Sequence, residues 1–281
     1  MIEQKRIGFI GGGQMGEAIF SGVLASGLVK PEQVSVTDVS AERLDTLGKK
    51  YGVFTAVNDG ANSGARVVIE RSDIVVFAIK PQYARPMLTA VSGAFSPSQL
   101  VISIMGGITL GFLEEFFPQN PVLRVMPNTP MLVRRGIAGI AAGAHASEAD
   151  SALGVELFNL VGMSYLLPEN LIDPLTSVSG CSPAFAYLFI EAMADGGVEK
   201  GLPRDMAIRL AAQALAGSAE MVLQTGKHPA ELKDSVCSPA GSTIVGVHAL
   251  ERGGFRNTVM NAVTESCDKM IEVGKKAGAC G

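Results

Sequence analysis

The chain has 281 residues, a length that exceeds the usual single domain and predicts two domains of roughly 100 to 170 residues each. Hydrophobic residues make up 47% of the sequence and charged residues 18%, so the chain can bury a sizeable core and lacks the composition of a disordered protein. A net charge of -4, without a block of Lys and Arg, excludes the usual pattern of a nucleic-acid-binding protein and favours small-molecule partners.

The sequence also predicts no membrane segment and no secretion. The longest uncharged apolar run, Leu100 to Leu113, has about 14 residues, fewer than the roughly 18 to 20 that span a bilayer. The polar start of the chain, Met1 to Arg6, leads directly into a strand and does not resemble a signal peptide. The cysteines are widely spaced and form no CxxC motif, which predicts reduced thiols in the cytoplasm and no metal: Cys181, Cys237, Cys267 and Cys280.

Residues 1–168 alternate short β-branched runs with amphipathic helical stretches. This alternation predicts an α/β Rossmann-type N-terminal domain with a mostly parallel sheet. Several of the runs are almost continuously apolar, as expected of strands covered by helices on both faces. The predicted strands are Arg6–Ile10, Val34–Thr37, Ile74–Ala78, Leu100–Ile104, Val122–Met126, Gly136–Ala141 and Tyr165–Leu167.

Residues 169–281 lose the strand-like runs and predict an all-α C-terminal domain, with Pro at helix starts and Gly at helix ends. The helices from Pro183 and from Pro203 are apolar on more than one face and need a partner surface, so we expect at least a homodimer with this half as its interface. The predicted helices are Pro183–Lys200, Pro203–Thr225, Pro229–Cys237, Ser242–Arg252 and Phe255–Lys276.

A glycine-rich turn, Gly11-x-Gly13-x-x-Gly16, separates the first predicted strand from a helix. In a dinucleotide site the first glycine makes the tight turn, the second lets the pyrophosphate approach the backbone, and the third packs helix on strand. Gln14 and Met15 begin the helix, whose N-terminal N–H groups attract anions, and are predicted cofactor contacts. A turn that binds no ligand is the competing interpretation.

The second predicted strand is followed by Asp38, about 20 residues beyond Gly16, where a carboxylate accepts hydrogen bonds from the adenosine ribose. This placement favours NADH over NADPH, because a carboxylate repels a 2′-phosphate. Ser40 and Arg43 lie just beyond and would accommodate a phosphate if Asp38 turned away. A helix N-cap is the alternative role for Asp38.

Further cofactor contacts are expected at the carboxyl ends of the other strands, where open α/β sheets bind ligands. Two of these predicted contacts have an alternative role that needs no cofactor. Lys80 would then be an ordinary exposed loop residue, and the Pro127-Asn128-Thr129-Pro130 segment would be a structural turn. The predicted contacts are Asn58, Ala78, Lys80, Pro81, Gly106 and Asn128.

Two Ser-Pro-Ala turns open helices in the second half, beginning at Ser182 and Ser238. The second turn continues through Gly241 to Thr243, and its free backbone N–H groups at a helix N-terminus suit a carboxylate. Spacing alone leaves a plain helix cap equally open.

Together these motifs closely resemble those of the pyrroline-5-carboxylate reductase family. The resemblance extends over essentially the whole chain and is carried by the glycine-rich turn and by four further runs: Val76–Pro81, Met126–Pro130, Glu191–Gly197 and Lys233–Arg256. It implies an NAD(P)H-dependent oxidoreductase that transfers a hydride to the C=N carbon of 1-pyrroline-5-carboxylate and so completes proline biosynthesis. It also implies a homo-oligomer, with decamers among the assemblies open to the family.

The resemblance further implies a substrate site in the second Ser-Pro-Ala loop. Ser238, Ala240, Gly241, Ser242 and Thr243 would hold the substrate carboxylate, and Thr243 would hydrogen-bond the ring nitrogen as it becomes an amine. Positioning and charge complementarity would then matter more than a strong acid. This agrees with the three scattered histidines, which are expected to be structural or surface residues: His145, His228 and His248.

Three positions depart from the family pattern. Ala240 stands where the family usually has Gly, and Cys181 stands in a run of Ser and Gly. Asp38 is the third, because many relatives accept NADPH and this chain has an acid at that position. These departures put the shape of the carboxylate pocket, a hydroxyl role at residue 181 and the cofactor preference in doubt.

Three other functions are alternatives to this one. A 3-hydroxy-acid dehydrogenase of the same architecture would need a helical lysine as acid and base, and Ser179–Phe189 contains no Lys. A short-chain dehydrogenase is excluded because no Tyr-x-x-x-Lys occurs. A dinucleotide sensor without activity is the non-enzymatic alternative, since fold does not determine function.

Overall fold

The computed structural model describes residues 1–279, with side chains as far as residue 272. By their internal contacts the residues form two compact units: Met1–Gly180 with the end of the chain from Cys267, and Cys181–Ser266. Helix α7, Ile172–Ser179, belongs to the first unit because Ile172 is fully buried in its core. The sequence-based domain boundary after residue 168 stays a prediction.

The first unit is built on an 8-stranded sheet in the order β3-β2-β1-β4-β5-β6-β7-β8. Strands β1 to β6 are parallel, β7 is antiparallel to β6, and β8 is parallel to β7. The mostly parallel Rossmann-type fold predicted from the sequence is confirmed. The strands are β1 Ile7–Ile10, β2 Val34–Asp38, β3 Phe54–Val57, β4 Ile74–Phe77, β5 Leu100–Ser103, β6 Val122–Pro127, β7 Gly136–Ala142 and β8 Gly162–Leu166.

Helices connect these strands and cover both faces of the sheet. Side chains of one strand alternate between two cores: Ile74 and Val76 enter one, and Val75 and Phe77 enter the other. This double burial explains why the strands are continuously apolar. The helices of this unit before α7 are α1 Gln14–Ala25, α2 Ala41–Tyr51, α3 Ser63–Glu70, α4 Ala84–Val91, α5 Leu110–Glu114 and α6 Glu148–Asn159.

Two strand predictions were wrong, both at the edges of the sheet. Strand β3 was missed because its side chains are only half buried and its sequence, Phe54–Val57, has no clear apolar run. Strand β8 begins at Gly162 rather than at Tyr165, and three of its residues are exposed: Met163, Tyr165 and Leu166. An edge strand has one neighbour, and its burial pattern is correspondingly weak.

The second unit is helical, as predicted. Helices α8 and α9 pack closely through small residues, since a Cβ added at Gly197 would lie 3.4 Å from the Cβ of Ala207. Pro203 precedes α9 as its N-cap rather than opening it. The helices are α8 Ser182–Glu199, α9 Arg204–Thr225, α10 Pro229–Ser235, α11 Ser242–Arg252 and α12 Phe255–Ala279, the last of which ends among residues assigned to the first unit.

Helix α9 leaves large apolar side chains exposed, among them Met206, Leu210 and Leu223. By length and composition alone, α9 could cross a membrane, and it is the one helix of the described residues with that property. The sequence predicted no membrane segment. A helix with so little of its surface buried needs another apolar surface to cover it. Length and composition do not tell whether that surface is lipid or protein.

Candidate active site

The glycine-rich turn between β1 and α1 requires its glycines for three different reasons. Gly11 has φ +112°, and a Cβ there would lie 2.6 Å from the carbonyl oxygen of Ala78. A Cβ on Gly16 would lie 2.5 Å from the carbonyl oxygen of Gly11, so helix and turn could not pack. A Cβ on Gly13 would meet nothing within 4 Å. Only Gly13 therefore has free space beside it, as the residue that the pyrophosphate approaches must have.

Helix α1 begins directly after this turn. Gly13 is its N-cap, and no side chain accepts a hydrogen bond from its first turn. The N-terminal N–H groups of the helix, including that of Met15, consequently remain available to an anion.

A cavity of about 660 Å³ lies at the carboxyl ends of the strands in the first unit. Six of the predicted cofactor contacts line it: Gly11, Gly13, Asp38, Asn58, Ala78 and Lys80. The remaining six do not: Gln14, Met15, Gly16, Pro81, Gly106 and Asn128. Their roles toward a cofactor stay predictions.

Asp38 ends β2 and is fixed by backbone groups. Its Oδ2 accepts a hydrogen bond from the N–H of Gly12 at 2.8 Å, and its Oδ1 accepts one from the N–H of Ser40 at 3.0 Å. The interpretation of Asp38 as a helix N-cap was wrong, because Ser40 caps α2 by accepting from the N–H of Arg43. Each carboxylate oxygen keeps acceptor capacity for a ribose hydroxyl.

The two predicted asparagines are held mainly by the protein. Asn58 lines the cavity, but its Oδ1 accepts from the N–H of Ala65 and its Nδ2 donates to Asn62. Asn128 is only 6% exposed, donates to the carbonyl of Ser179 at 2.8 Å and accepts from the N–H of Ile137 at 2.8 Å. These bonds favour the structural-turn interpretation for Asn128.

The cavity also has lining residues that the sequence did not predict. Thr37 is the most informative, because its Oγ1 is buried and has no hydrogen-bond partner among the described residues. This hydroxyl faces Gly64, where an added Cβ would lie 2.8 Å from it. The unpredicted lining residues are Ile10, Thr37, Val39, Asp59, Gly60, Asn62, Ile79, Tyr83, Pro86 and Met87. Asp59, Gly60 and Asn62 follow β3, so recognising that strand would have indicated them.

The substrate loop predicted in the second unit forms a tight turn before α11. The N–H of Gly241 donates to the carbonyl of Ser238 at 3.0 Å, and a Cβ on Gly241 would lie 2.3 Å from the Oγ of Ser238. Gly241 is the N-cap of α11 without any side-chain capping bond, and Ser242 and Thr243 begin the helix with exposed side chains. This arrangement can receive a carboxylate.

Ala240 adopts φ +58° in this turn, in the left-handed region that favours glycine. The family departure at this position therefore places a Cβ on a backbone suited to Gly. Lys233 on α10 pairs with Asp234, and its pKa is raised because its ammonium is hydrogen-bonded and attracted to that carboxylate.

The histidines and cysteines lie outside both sites. All three histidines are exposed, and His228 accepts a hydrogen bond from the N–H of Ala230 at the start of α10. Cys181, Cys237 and Cys267 carry free thiols, and Cys280 lies outside the described residues. No group of three or more His, Cys, Asp or Glu residues that could hold a metal occurs within residues 1–279.

The sheet order, the glycine-rich turn and the cavity beside it define a dinucleotide-binding oxidoreductase of the Rossmann class, and the residues present fit a nicotinamide dinucleotide. Residues 169–273 match the family described as pyrroline-5-carboxylate reductase dimerisation, and residues 6–107 match the family described as NADP oxidoreductase, coenzyme F420-dependent.

Relatives of known function resemble nearly the whole chain. The pyrroline-5-carboxylate reductase of Methanosarcina acetivorans is 41% identical, over 98% of this chain and 100% of its own. That of Escherichia coli strain K12 is 40% identical, over 97% and 99%. The crystal structure of Plasmodium falciparum pyrroline carboxylate reductase with NADP bound has a TM-score of 0.85 at 35% identity, covering 97% of this chain and 99% of that one.

The chain belongs to the pyrroline-5-carboxylate reductase family. It is an NAD(P)H-dependent oxidoreductase that acts on a cyclic imine, which confirms the resemblance seen in its sequence. The 3-hydroxy-acid dehydrogenase and sensor alternatives are not favoured.

Proposed function

We propose that this chain makes L-proline from 1-pyrroline-5-carboxylate with the substrate held in the Ser238–Thr243 loop. The observation that carries this assignment is the uncapped N-terminus of α11 behind a tight turn in which a Cβ on Gly241 would displace the hydroxyl of Ser238. Backbone N–H groups in such a turn bind a carboxylate without needing a buried positive charge.

The residues of the loop would position the imine rather than supply a strong acid. The β1–α1 turn would hold NAD(P)H, which would supply a hydride to the C=N carbon of the protonated imine. The π electrons of the C=N bond become the lone pair of the nitrogen, which ends as the amine of proline. The hydroxyl of Thr243 would hydrogen-bond this nitrogen and keep the ring in a fixed orientation. Orientation of this kind contributes strongly to the rate when the substrate is already electrophilic.

Self-association belongs to the same proposal. The matched dimerisation family covers residues 169–273, and α9 carries exposed apolar side chains that a second copy would bury. We propose a homodimer, with association into a decamer as a further possibility, in the cytoplasm and without nucleic-acid or membrane partners. Light scattering of the protein and of Leu210→Asp tests this: the wild type should be at least dimeric and the variant smaller.

The activity test uses Thr243→Ala, with Thr243→Ser and Thr264→Ala as matched controls. NADH or NADPH oxidation is followed with 1-pyrroline-5-carboxylate as substrate. The Ala variant should lose most of its kcat/KM, the Ser variant should keep most of it because it keeps the hydroxyl, and the exposed Thr264 on α12 should be neutral. Wild-type turnover without any effect of Thr243→Ala would reject the residue's role. Folded protein that binds dinucleotide but gives no turnover would reject the substrate.

A further inference from the structure

Gly12 of the glycine-rich turn is hydrogen-bonded through both its N–H and its carbonyl group. The N–H of Gly12 donates to Oδ2 of Asp38 at 2.8 Å, and the carbonyl of Gly12 accepts from Nε of Arg43 at 2.8 Å. Asp38 ends β2 and Arg43 lies in the first turn of α2, so two neighbouring elements hold the turn in one position. Asp38 cannot turn away without breaking two backbone hydrogen bonds, to Gly12 and to Ser40.

Arg43 is also bonded to Glu17. The Nη2 of Arg43 forms a hydrogen-bonded ion pair with Oε2 of Glu17. The other oxygen of Glu17 accepts from the hydroxyl of Tyr51 at 2.6 Å and from Nζ of Lys50 at 3.0 Å. The Glu17 side chain, on α1, is only 15% exposed. This shielded carboxylate therefore binds both nearby cations, Arg43 and Lys50.

The charge that lines the cavity is correspondingly negative. The carboxylates of Asp38 and Asp59 both line it, whereas Arg43 and Lys50 do not. Within the described part of the chain, Lys80 is the one cation among the lining residues. A 2′-phosphate beside Asp38 would therefore meet like charge, while the Nε and Nη2 groups of the nearby Arg43 are bonded to Gly12 and Glu17.

We propose that Glu17 is a specificity-determining residue, which holds Arg43 against the glycine-rich turn and so makes this enzyme prefer NADH to NADPH. The inference rests on the proposed function only in assuming that the cavity binds the adenosine end of the cofactor. Asp38 repels the phosphate, and Glu17 engages the cation that would otherwise attract it.

The test measures equilibrium binding without substrate. NADH and NADPH, and separately AMP and adenosine 2′,5′-bisphosphate, are titrated into the intact protein by calorimetry. The wild type should bind NADH and AMP about tenfold or more tightly than their 2′-phosphorylated counterparts. Glu17→Gln should reduce that ratio severalfold by strengthening the binding of the phosphorylated ligands.

Two further variants separate this mechanism from a general loss of structure. In an Arg43→Gln background, Glu17→Gln should leave the ratio unchanged, because the cation it would release is gone. Asp45→Asn removes a carboxylate on α2 that is paired with exposed Lys49. This control should leave the ratio of the two affinities at its wild-type value. A wild type that binds both cofactors equally, or a folded Glu17→Gln with an unchanged ratio, would overturn the proposal.

The outcomes also distinguish this inference from the proposed function. Binding with the expected preference but no turnover leaves the inference standing and rejects the substrate. Turnover with 1-pyrroline-5-carboxylate and no cofactor preference rejects the inference alone.

Discussion

Nη1 of Arg124 lies 2.9 Å from Oε1 of Glu169, and this ion pair joins β6 to the segment that leads into α7. The Arg124 side chain is 5% exposed and also pairs with Asp173 at 3.2 Å. The same oxygen of Glu169 also accepts a hydrogen bond of 2.7 Å from the N–H of Leu110, at the start of α5. The buried guanidinium thus depends on two carboxylates more than forty residues along the chain.

Removing both of these carboxylates should destabilise the protein. Glu169→Gln with Asp173→Asn keeps the shapes of the side chains but leaves a buried positive charge, so we expect a loss of about 3 kcal/mol in the free energy of unfolding. Urea denaturation provides the measurement. Glu199→Gln, whose partner Lys200 is exposed, is the control and should change little. Equal stability of the double variant and the wild type would show that the pairs contribute nothing.

Two glycines of the same turn should respond differently to alanine. Gly13→Ala should stay within about 1 kcal/mol of wild-type stability, because its Cβ meets no atom, yet it should weaken dinucleotide binding by about tenfold or more. Gly16→Ala should lower stability by about 1 to 3 kcal/mol, because its Cβ lies 2.5 Å from a backbone oxygen. Thermal melts and dinucleotide titrations separate the two effects. Gly93→Ala, which also meets open space, should change neither quantity.

Ala240→Gly should stabilise the protein by about 1 kcal/mol, since it removes a Cβ from a backbone at φ +58°. The matched control is Ala152→Gly on the exposed side of α6, where the same substitution should destabilise by about 0.5 to 1 kcal/mol. Denaturation midpoints of the two variants should move in opposite directions. A loss of stability at both positions would mean that the turn stores no strain at residue 240.

Glu17 should make stability depend on acid pH. Burial by itself would raise the pKa of its carboxyl, but hydrogen bonds from Tyr51, Lys50 and Arg43 lower it from 4.5 to about 2. The lowered pKa means that this carboxylate contributes stability above pH 4.5, and that the contribution is lost as the pH falls toward 2.

The measurement compares the free energy of unfolding of the wild type with that of Glu17→Gln across the acid range. Their difference should shrink by about 2 kcal/mol between about pH 7 and about pH 3. Asp45→Asn, from an exposed pair, should run nearly parallel to the wild type. A constant difference for Glu17→Gln would contradict the lowered pKa.

Local patterns in the sequence predicted much of the fold. The central strands β1, β2, β4, β5 and β6 are buried on both faces, so their apolar runs were continuous and easy to recognise. The edge strand β3 has half-buried side chains and no recognisable pattern, so neither the strand nor the cavity residues that follow it were predicted: Asp59, Gly60 and Asn62. Half of the predicted cofactor contacts line the cavity, chiefly those placed by the glycine motif and the carboxyl ends of β2 and β4.

The sequence by itself determined the βα order, the glycine-rich turn and the family. These depend on residues close together along the chain or on contiguous sequence motifs. Only the tertiary structure decided three long-range hydrogen bonds: Asn128 with the carbonyl of Ser179, Arg43 with Glu17, and Asp38 with the N–H of Gly12. Each of these bonds joins residues more than twenty positions apart, and no local pattern encodes which distant donor will satisfy a given polar group. The folded backbone selects the partner, since a buried donor or acceptor must bond to whatever the packing brings within reach.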